Sequence, residues 1–126
     1  MSVRAVIFGC DGHELTSDEI AFFRQVKPWG FILFGRNCGS PDQVRRLTAS
    51  MRDVLGRENA PILIDQEGGR VQRLRGSHWK PRPAAAAFGT ISRQNPRAAR
   101  DLAYDNARVM GAELLDLGVN VDCTPC

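Results

Sequence analysis

Residues 62–73 read ILIDQEGGRVQR, and this segment decides how the rest of the chain is interpreted. Three apolar residues that favour β-structure follow Pro61, and Asp65 stands where they end. An apolar run of this length, bounded by a proline and a pair of glycines, predicts a strand that is buried on both faces. Because ligands bind at the carboxyl ends of strands in parallel α/β folds, Asp65 is predicted to face a ligand.

The residues that follow Asp65 have the composition of a binding loop. The two glycines at 68–69 allow the backbone to turn sharply and to approach a ligand closely. Arg70 and Arg73 carry forked guanidinium donors, which suit hydroxyl and carboxylate groups. Glu67 is interpreted as pointing away from Asp65 and as bracing Arg70 or a loop amide. We therefore reject a catalytic pair made of Asp65 and Glu67.

The pattern of apolar residues alternates between strands and helices along the whole chain. Strands are predicted over 3–9, 30–34, 62–65 and 119–123, and helices begin after capping signals at Thr16, Ser40 and Asn95. Segment 68–95 is too long for an ordinary connection, so it is predicted to be a functional loop with some helix of its own. This order predicts a parallel sheet with right-handed crossovers.

The predicted fold class is α/β, as the N-terminal half of a (β/α)8 TIM-type barrel. Four strand-helix units are about half of such a barrel, which typically needs ~250 residues. We expect the chain to be a truncated part of a longer barrel. An independent four-stranded open sheet is the alternative, although its edge strands would be exposed to pairing with other chains.

The composition is that of an ordinary globular domain, because 43% of the 126 residues are hydrophobic and 25% are charged. The net charge of +3 is mild and the arginines are dispersed, so nucleic acid is not an expected partner. No apolar run approaches the ~20 residues that a membrane span needs, and no signal-peptide pattern follows Met1. We therefore expect a cytoplasmic protein with reduced cysteines and no membrane partner. Nothing in the sequence predicts the oligomeric state.

Four cysteines suggest one remote alternative from another class of protein. They lie near predicted strand ends, and the last two have the C-x-x-C spacing of metal and redox sites: Cys10, Cys38, Cys123 and Cys126. A metal or redox module is therefore conceivable. Against it, the first two are isolated, and free cysteine commonly packs as a small buried hydrophobe. We predict no metal site.

Residues 65–73 match the pattern Asp-x-Glu-Gly-Gly-Arg-Val-x-Arg at every fixed position. This pattern resembles the signature of the bacterial β-N-acetylglucosaminidases of glycoside hydrolase family 3, the β-hexosaminidases of cell-wall recycling. Flanking stretches agree with it, namely GFILF at 30–34 before Arg36 and Asn37, and GVNVD at 118–122 before Thr124 and Pro125. The resemblance implies that residues 1–126 are the N-terminal part of one catalytic barrel whose catalytic half is absent.

The resemblance also implies an activity and two binding residues. The activity is hydrolysis of terminal β-linked N-acetylglucosamine from peptidoglycan fragments, with a retaining mechanism and without metal or cofactor. Asp65 is expected to accept hydrogen bonds from hydroxyls of the sugar, and Arg73 is expected to donate to the same sugar. Structural interpretations compete with both roles: a strand-end cap or a structural ion pair for Asp65, and a solvated arginine on a helix or turn for Arg73.

The resemblance implies no catalytic residue within the chain. The family's nucleophilic Asp and acid/base His are expected beyond residue 126, in motifs resembling Lys-His-Phe-Pro-Gly-His-Gly and a later Ser-Asp, and both motifs are absent here. His13 and His78 stand in no such context. This polypeptide alone is therefore expected to be inactive, and an inactive sugar-binding fragment or pseudoenzyme is the alternative.

Six further residues are candidates to support the site. Four of them fall at predicted strand ends, on the same edge as Asp65, and two follow it in the loop: Asp11, Arg36, Asn37, Asp122, Glu67 and Arg70. Asp11 and Asn37 are at least as well explained as turn formers. Asp122 is expected to help orient a basic residue of the site.

Overall fold

The computed structural model describes residues 2–125 and contains one four-stranded sheet with helices between its strands. The elements in chain order are β1 Arg4–Phe8, α1 Ser17–Val26, β2 Pro28–Leu33, a 3₁₀ turn Gly35–Asn37, α2 Pro41–Leu55, β3 Ile62–Ile64, β4 Gln66–Gly68, β5 Val71–Gln72, α3 Ala85–Ser92, α4 Pro96–Asp116 and β6 Val121–Asp122.

The sheet is parallel throughout, with the strand order β1-β2-β3-β6. Strands β2 and β3 are in register from Phe31 opposite Ile62 to Leu33 opposite Ile64, and Ile64 in turn lies opposite Asp122 of β6. Strands that follow one another in the sheet are separated by helices, as in one half of a (β/α)8 barrel. The predicted α/β class and parallel sheet are therefore confirmed.

The predicted helix starts are confirmed by their capping contacts. The Thr16 hydroxyl accepts from the Glu19 amide at 3.2 Å, and the Glu19 carboxylate accepts from the Thr16 amide at 2.8 Å. Ser40 and Gln43 form the same reciprocal arrangement at the start of α2. Both helices therefore begin where the sequence predicts, because a polar side chain satisfies amides that lack a partner in the first turn.

Strand β2 begins two residues earlier than predicted, and the reason lies at the end of α1. Lys27 caps α1 in the left-handed conformation, with φ of 52°, so the chain turns into the sheet without a loop. Pro28 is tolerated there because it is the first residue of the strand. Gly30 follows, and a Cβ on it would lie 2.4 Å from the Pro61 carbonyl oxygen.

The helices cover one face of the sheet, and this corrects one expectation. Phe31, Leu33, Ile62 and Ile64 are fully buried in a core with residues of α1, α2 and α4. Leu63, between two of them, is only half-buried. The prediction that the third strand is buried on both faces was therefore wrong for the described residues, since no helix covers the opposite face.

The segment after β3 is more ordered than a simple loop, and this was not predicted. Strands β4 and β5 form an antiparallel hairpin whose tight turn has Gly68 and Gly69 at φ of 88° and 61°. The Gly69 amide donates to the Arg82 carbonyl at 2.7 Å, and Trp79 is buried in the core. Helix α3 then confirms the expected helix within this long segment. None of the helices within residues 2–125 is both long and apolar enough to cross a membrane.

Candidate functional site

The polar side chains predicted to form a site follow the carboxyl ends of neighbouring parallel strands. Asp11 lies beyond β1, Arg36 and Asn37 beyond β2, Asp65 directly after β3, and Asp122 at the end of β6. Because these strands are parallel and paired, their carboxyl ends meet at one edge of the sheet. The predicted residues are thus brought to one edge, although their contacts differ.

Asp65 and Arg73 form an ion pair at this edge. The Arg73 Nη2 donates to Asp65 Oδ2 at 2.8 Å, and the two side chains remain 33% and 24% exposed, respectively. Within the described residues the other carboxylate oxygen of Asp65 accepts no hydrogen bond. The pair therefore leaves an Asp65 oxygen and Arg73 donors without a partner within residues 2–125, with the Arg73 Nε buried. Groups of this kind can bind a vicinal pair of hydroxyls.

An aromatic ring that the sequence reasoning missed supports this arginine. The centre of the Phe34 ring lies 5.6 Å from the Arg73 guanidinium carbon and 5.0 Å from that of Arg36. A cation within about 6 Å of a ring centre is attracted by the ring electrons. Phe34 closes an apolar run, so the pattern marked it only as the end of a strand.

The carboxylates of Asp65 and Glu67 both lie near that of Asp122. Asp122 Oδ1 accepts from the Gln66 amide at 3.0 Å. Burial raises the pKa of Asp122, the Gln66 amide opposes that rise, and the negative charges of Asp65 and Glu67 raise the pKa further. The predicted role of Asp122, orienting a basic residue, has no contact to support it within the described residues, because its partner is a backbone amide.

The expected orientation of Glu67 was wrong. Burial alternates along this stretch, with Ile64 and Gln66 buried and Asp65 and Glu67 half-buried. Residues two apart share a face of an extended chain, so both acids lie on the same side. There the negative charges of both raise the pKa of Asp122. The expected contact between Glu67 and Arg70 is also absent from residues 2–125, and the Arg70 side chain is exposed without a hydrogen-bond partner there.

Two buried glutamines hold the loop that carries Arg73, and both were missed. Gln66 Oε1 accepts from the amides of Arg73 and Leu74 at 3.0 and 3.1 Å. Gln72 Nε2 donates to the carbonyls of Leu74 and Lys80, and its Oε1 accepts from the Arg82 amide at 3.0 Å. Both glutamines occupy unspecified positions of the signature. Because residues two apart share a face of a strand, burial of Ile62 and Ile64 would have placed Gln66 on the same buried face, and this was the available signal for Gln66.

Asn37 joins the ends of β1 and β2, as a turn former does. Its side chain is fully buried, and Nδ2 donates to the carbonyls of Cys10 and Gly12 at 3.1 and 2.8 Å. Its Oδ1 accepts from the Phe34 amide at 2.9 Å. All its polar atoms are therefore occupied by backbone, which leaves none for a ligand. Arg36 Nε also donates to the Cys10 carbonyl, at 3.1 Å.

Asp11 and the two histidines have no described contact with the ion pair of Asp65 and Arg73. Asp11 is exposed in a bend after β1, where its amide donates to the Glu19 carboxylate at 2.8 Å. His13 packs against Gly39 and the His78 ring against Trp79. Neither histidine has a described contact with the pair after β3.

The described cysteines show no sign of a metal site. Burial raises the pKa of the Cys10 thiol to about 11 and that of Cys38 to about 12. No group of three His, Cys, Asp or Glu residues within 2–125 is placed to hold a metal ion. Cys126 lies outside the described residues, so the C-x-x-C pair with Cys123 is not described as a unit.

The family of the chain is evident from its sequence relatives. The profile described as "Glycosyl hydrolase family 3 N terminal domain" matches residues 15–126. Proteins named beta-hexosaminidase from Alkalilimnicola ehrlichii and Methylobacillus flagellatus are 36% and 38% identical over 125 and 127 residues. Each alignment covers 99% of this chain and 35% of the relative, so the chain spans about a third of the curated relatives it matches.

Solved structures agree with this relationship. NagZ from Neisseria gonorrhoeae in complex with N-trifluoroacetyl-D-glucosamine superposes with a TM-score of 0.89 at 30% identity, covering 98% of this chain and 36% of that one. A glycoside hydrolase family 3 beta-N-acetylglucosaminidase from Paenibacillus gives a TM-score of 0.82 at 32% identity, covering 94% and 22%. The chain therefore belongs to glycosyl hydrolase family 3, whose N-terminal domain it matches over residues 15–126.

Proposed function

We propose that this chain supplies part of the sugar-binding site of a β-N-acetylhexosaminidase, and that residues 1–126 are the N-terminal part of its catalytic barrel. The observation that carries the proposal is the partly exposed pair of Asp65 and Arg73 at the carboxyl edge of the sheet. Its unused oxygen and donors suit the hydroxyls of a terminal N-acetylglucosamine. The related Neisseria protein was solved with an N-acylated glucosamine, which supports this class of ligand.

The finer substrate and location are part of the same proposal. We infer that the substrate is the terminal β-linked N-acetylglucosamine of peptidoglycan fragments, handled in the cytoplasm with retention of configuration. A retaining glycosidase needs a carboxylate nucleophile and a separate proton donor on either side of the bond. We assign neither role to residues 1–126. Asp65 is bound to Arg73, and its role is to hold the sugar.

The test begins with the coding DNA beyond codon 126 and uses the full-length polypeptide that it encodes. This polypeptide is expected to release N-acetylglucosamine from an aryl β-N-acetylglucosaminide and from a peptidoglycan digest. Replacing Asp65 by Ala should cost about 2–4 kcal/mol of transition-state binding, since a charged hydrogen bond to a sugar hydroxyl is lost. That loss corresponds to a fall in kcat/KM of about thirtyfold to a thousandfold.

A matched control separates this effect from a general loss of charge. Asp101 is an exposed acid on α4, and its replacement by Ala should leave turnover unchanged. Unchanged kinetics in Asp65→Ala would remove Asp65 from the site. Sugar binding without any turnover by the full-length polypeptide would identify an inactive sugar-binding protein in place of a hydrolase.

A further inference from the structure

We propose that Gln66 is a positioning residue that sets the place of Arg73 in the sugar-binding site. This inference rests on the proposed function, because it concerns how the same site is built. Within residues 2–125 the Gln66 side chain makes no hydrogen bond to the Asp65 carboxylate or to the Arg73 guanidinium. It acts through the backbone of the loop that carries the arginine.

The Gln66 amide group is oriented by its own contacts. Its Oε1 accepts from two backbone amides, those of Arg73 at 3.0 Å and Leu74 at 3.1 Å, and only an oxygen can accept from both. The side chain is fully buried, and its Nε2 has no hydrogen-bond partner within residues 2–125. The side chain is therefore held by its oxygen alone, and the two amides depend on that one atom.

Gln66 is itself held from the neighbouring strand. Its backbone amide donates to Asp122 Oδ1 at 3.0 Å, so the end of β6 fixes the start of the hairpin. Leu74, next to Arg73, is fully buried in the core. The backbone next to Arg73 is thus anchored in the core, and the Arg73 side chain extends from it to the ion pair with Asp65.

Loss of the Gln66 oxygen would leave two amides without a partner, one of them in a buried residue. Because an unsatisfied buried amide is costly, the loop is expected to shift until the amides find other acceptors. A displacement of about 1 Å in a supporting group is enough to loosen a binding site. The Arg73 guanidinium would then leave its place beside Asp65 and Phe34, where it now lies.

Gln43 provides a matched control on α2, away from the hairpin. It is also buried, its Nε2 donates to the carbonyls of His13 and Asn37, both at 2.9 Å, and its Oε1 accepts from the Gly39 amide at 2.7 Å. Gln43→Met therefore removes buried hydrogen bonds to backbone without touching the loop that carries Arg73. It should lower stability at least as much as Gln66→Met while changing affinity for the sugar by less than about twofold.

The experiment is a double-mutant cycle on the full-length polypeptide, with N-acetylglucosamine binding followed by calorimetry. We expect Gln66→Met to weaken binding about tenfold and Arg73→Met to weaken it more. In the double variant, the loss should equal that of Arg73→Met alone, because Gln66 acts only through the arginine. If Gln66→Met does not fold, Gln66→Asn replaces it. The asparagine keeps a side-chain carboxamide, but this shorter side chain cannot reach the backbone N–H groups of both Arg73 and Leu74.

The outcomes distinguish the inference from the function on which it rests. Losses that multiply in the double variant, or a folded Gln66 variant with unchanged affinity, would overturn the positioning role and leave the proposed function intact. An Arg73→Met variant that binds the sugar as the unmodified protein does would overturn both. A loss of affinity in Gln43→Met equal to that in Gln66→Met would also overturn the positioning role, because it would indicate a general effect of protein stability.

Discussion

Replacing Asn37 by Ala tests whether this buried residue is a structural clamp or a ligand-binding group. The change removes three hydrogen bonds to backbone, from Nδ2 to Cys10 and Gly12 and from the Phe34 amide to Oδ1. Each is worth about 1 kcal/mol net, and a buried group left unsatisfied costs about 1–3 kcal/mol more. Some relaxation will recover part of this loss, so we expect a fall in the free energy of unfolding of about 3–5 kcal/mol.

The assay is urea unfolding of the full-length polypeptide, followed by circular dichroism. The midpoint should fall while the slope m is unchanged, because the surface exposed on unfolding stays the same. Asn95→Ala is the control: it removes one exposed capping bond, to the Ala98 amide at 3.0 Å, and should cost about 1 kcal/mol. Folded Asn37→Ala should still bind N-acetylglucosamine. The opposite result, lost affinity with stability nearly unchanged, would refute the clamp and restore Asn37 as a ligand contact.

Three other predictions follow from local geometry. Gly68→Ala should destabilise the protein by more than about 2 kcal/mol in the same unfolding assay, because φ is 88° and the new Cβ would lie 2.3 Å from a carbonyl oxygen. The control, Gly56→Ala, has open space for the new Cβ and should cost about 1 kcal/mol. Equal losses of stability in the two variants would contradict this prediction. The folded-state pKa of Asp122 is raised above 3.8, so its contribution to stability is greatest below that pH and falls as the pH rises through the folded pKa. The stability of Asp122→Asn should therefore increase relative to that of the unmodified protein as the pH rises through the folded-state pKa. A constant difference in the free energy of unfolding between the two proteins across pH 3.5–7 would contradict the raised pKa. The thiols of Cys10 and Cys38 have pKa values of about 11 and 12, so at pH 8 they carry little of the thiolate that reacts with iodoacetamide. Both should resist labelling until urea unfolds the protein. Rapid labelling of the native protein would favour a reactive-thiol module.

The fold was largely predictable because its signals are local. Apolar runs such as 30–34 and 62–64 predict strands wherever they occur, and capping residues such as Thr16 and Ser40 mark helix starts through contacts three residues away. Alternation of strands and helices then predicts a parallel sheet. The left-handed Lys27 was not predictable, since a non-glycine residue adopts that conformation only when the surrounding structure imposes it.

The charged residues of the candidate site could be predicted from the sequence, and the residues that support them could not. Asp65 and Arg73 could be recognised because charged side chains that follow a buried strand indicate a binding or pairing role. The structure brings the two side chains together in an ion pair. Gln66 and Gln72 do not stand out, because their role depends on backbone groups that only the folded hairpin brings within reach. Asn37 was ambiguous for the same reason: its partners across the β1 and β2 ends are distant in sequence.

A crystal structure of the full-length polypeptide with N-acetylglucosamine bound would test the sugar-binding role of Asp65 and Arg73 most directly. We predict that the sugar lies at the carboxyl edge of the sheet, with a hydroxyl within about 3.2 Å of an Asp65 oxygen and another within that distance of an Arg73 nitrogen. A sugar bound elsewhere, with the ion pair between these two side chains unchanged and untouched, would contradict it.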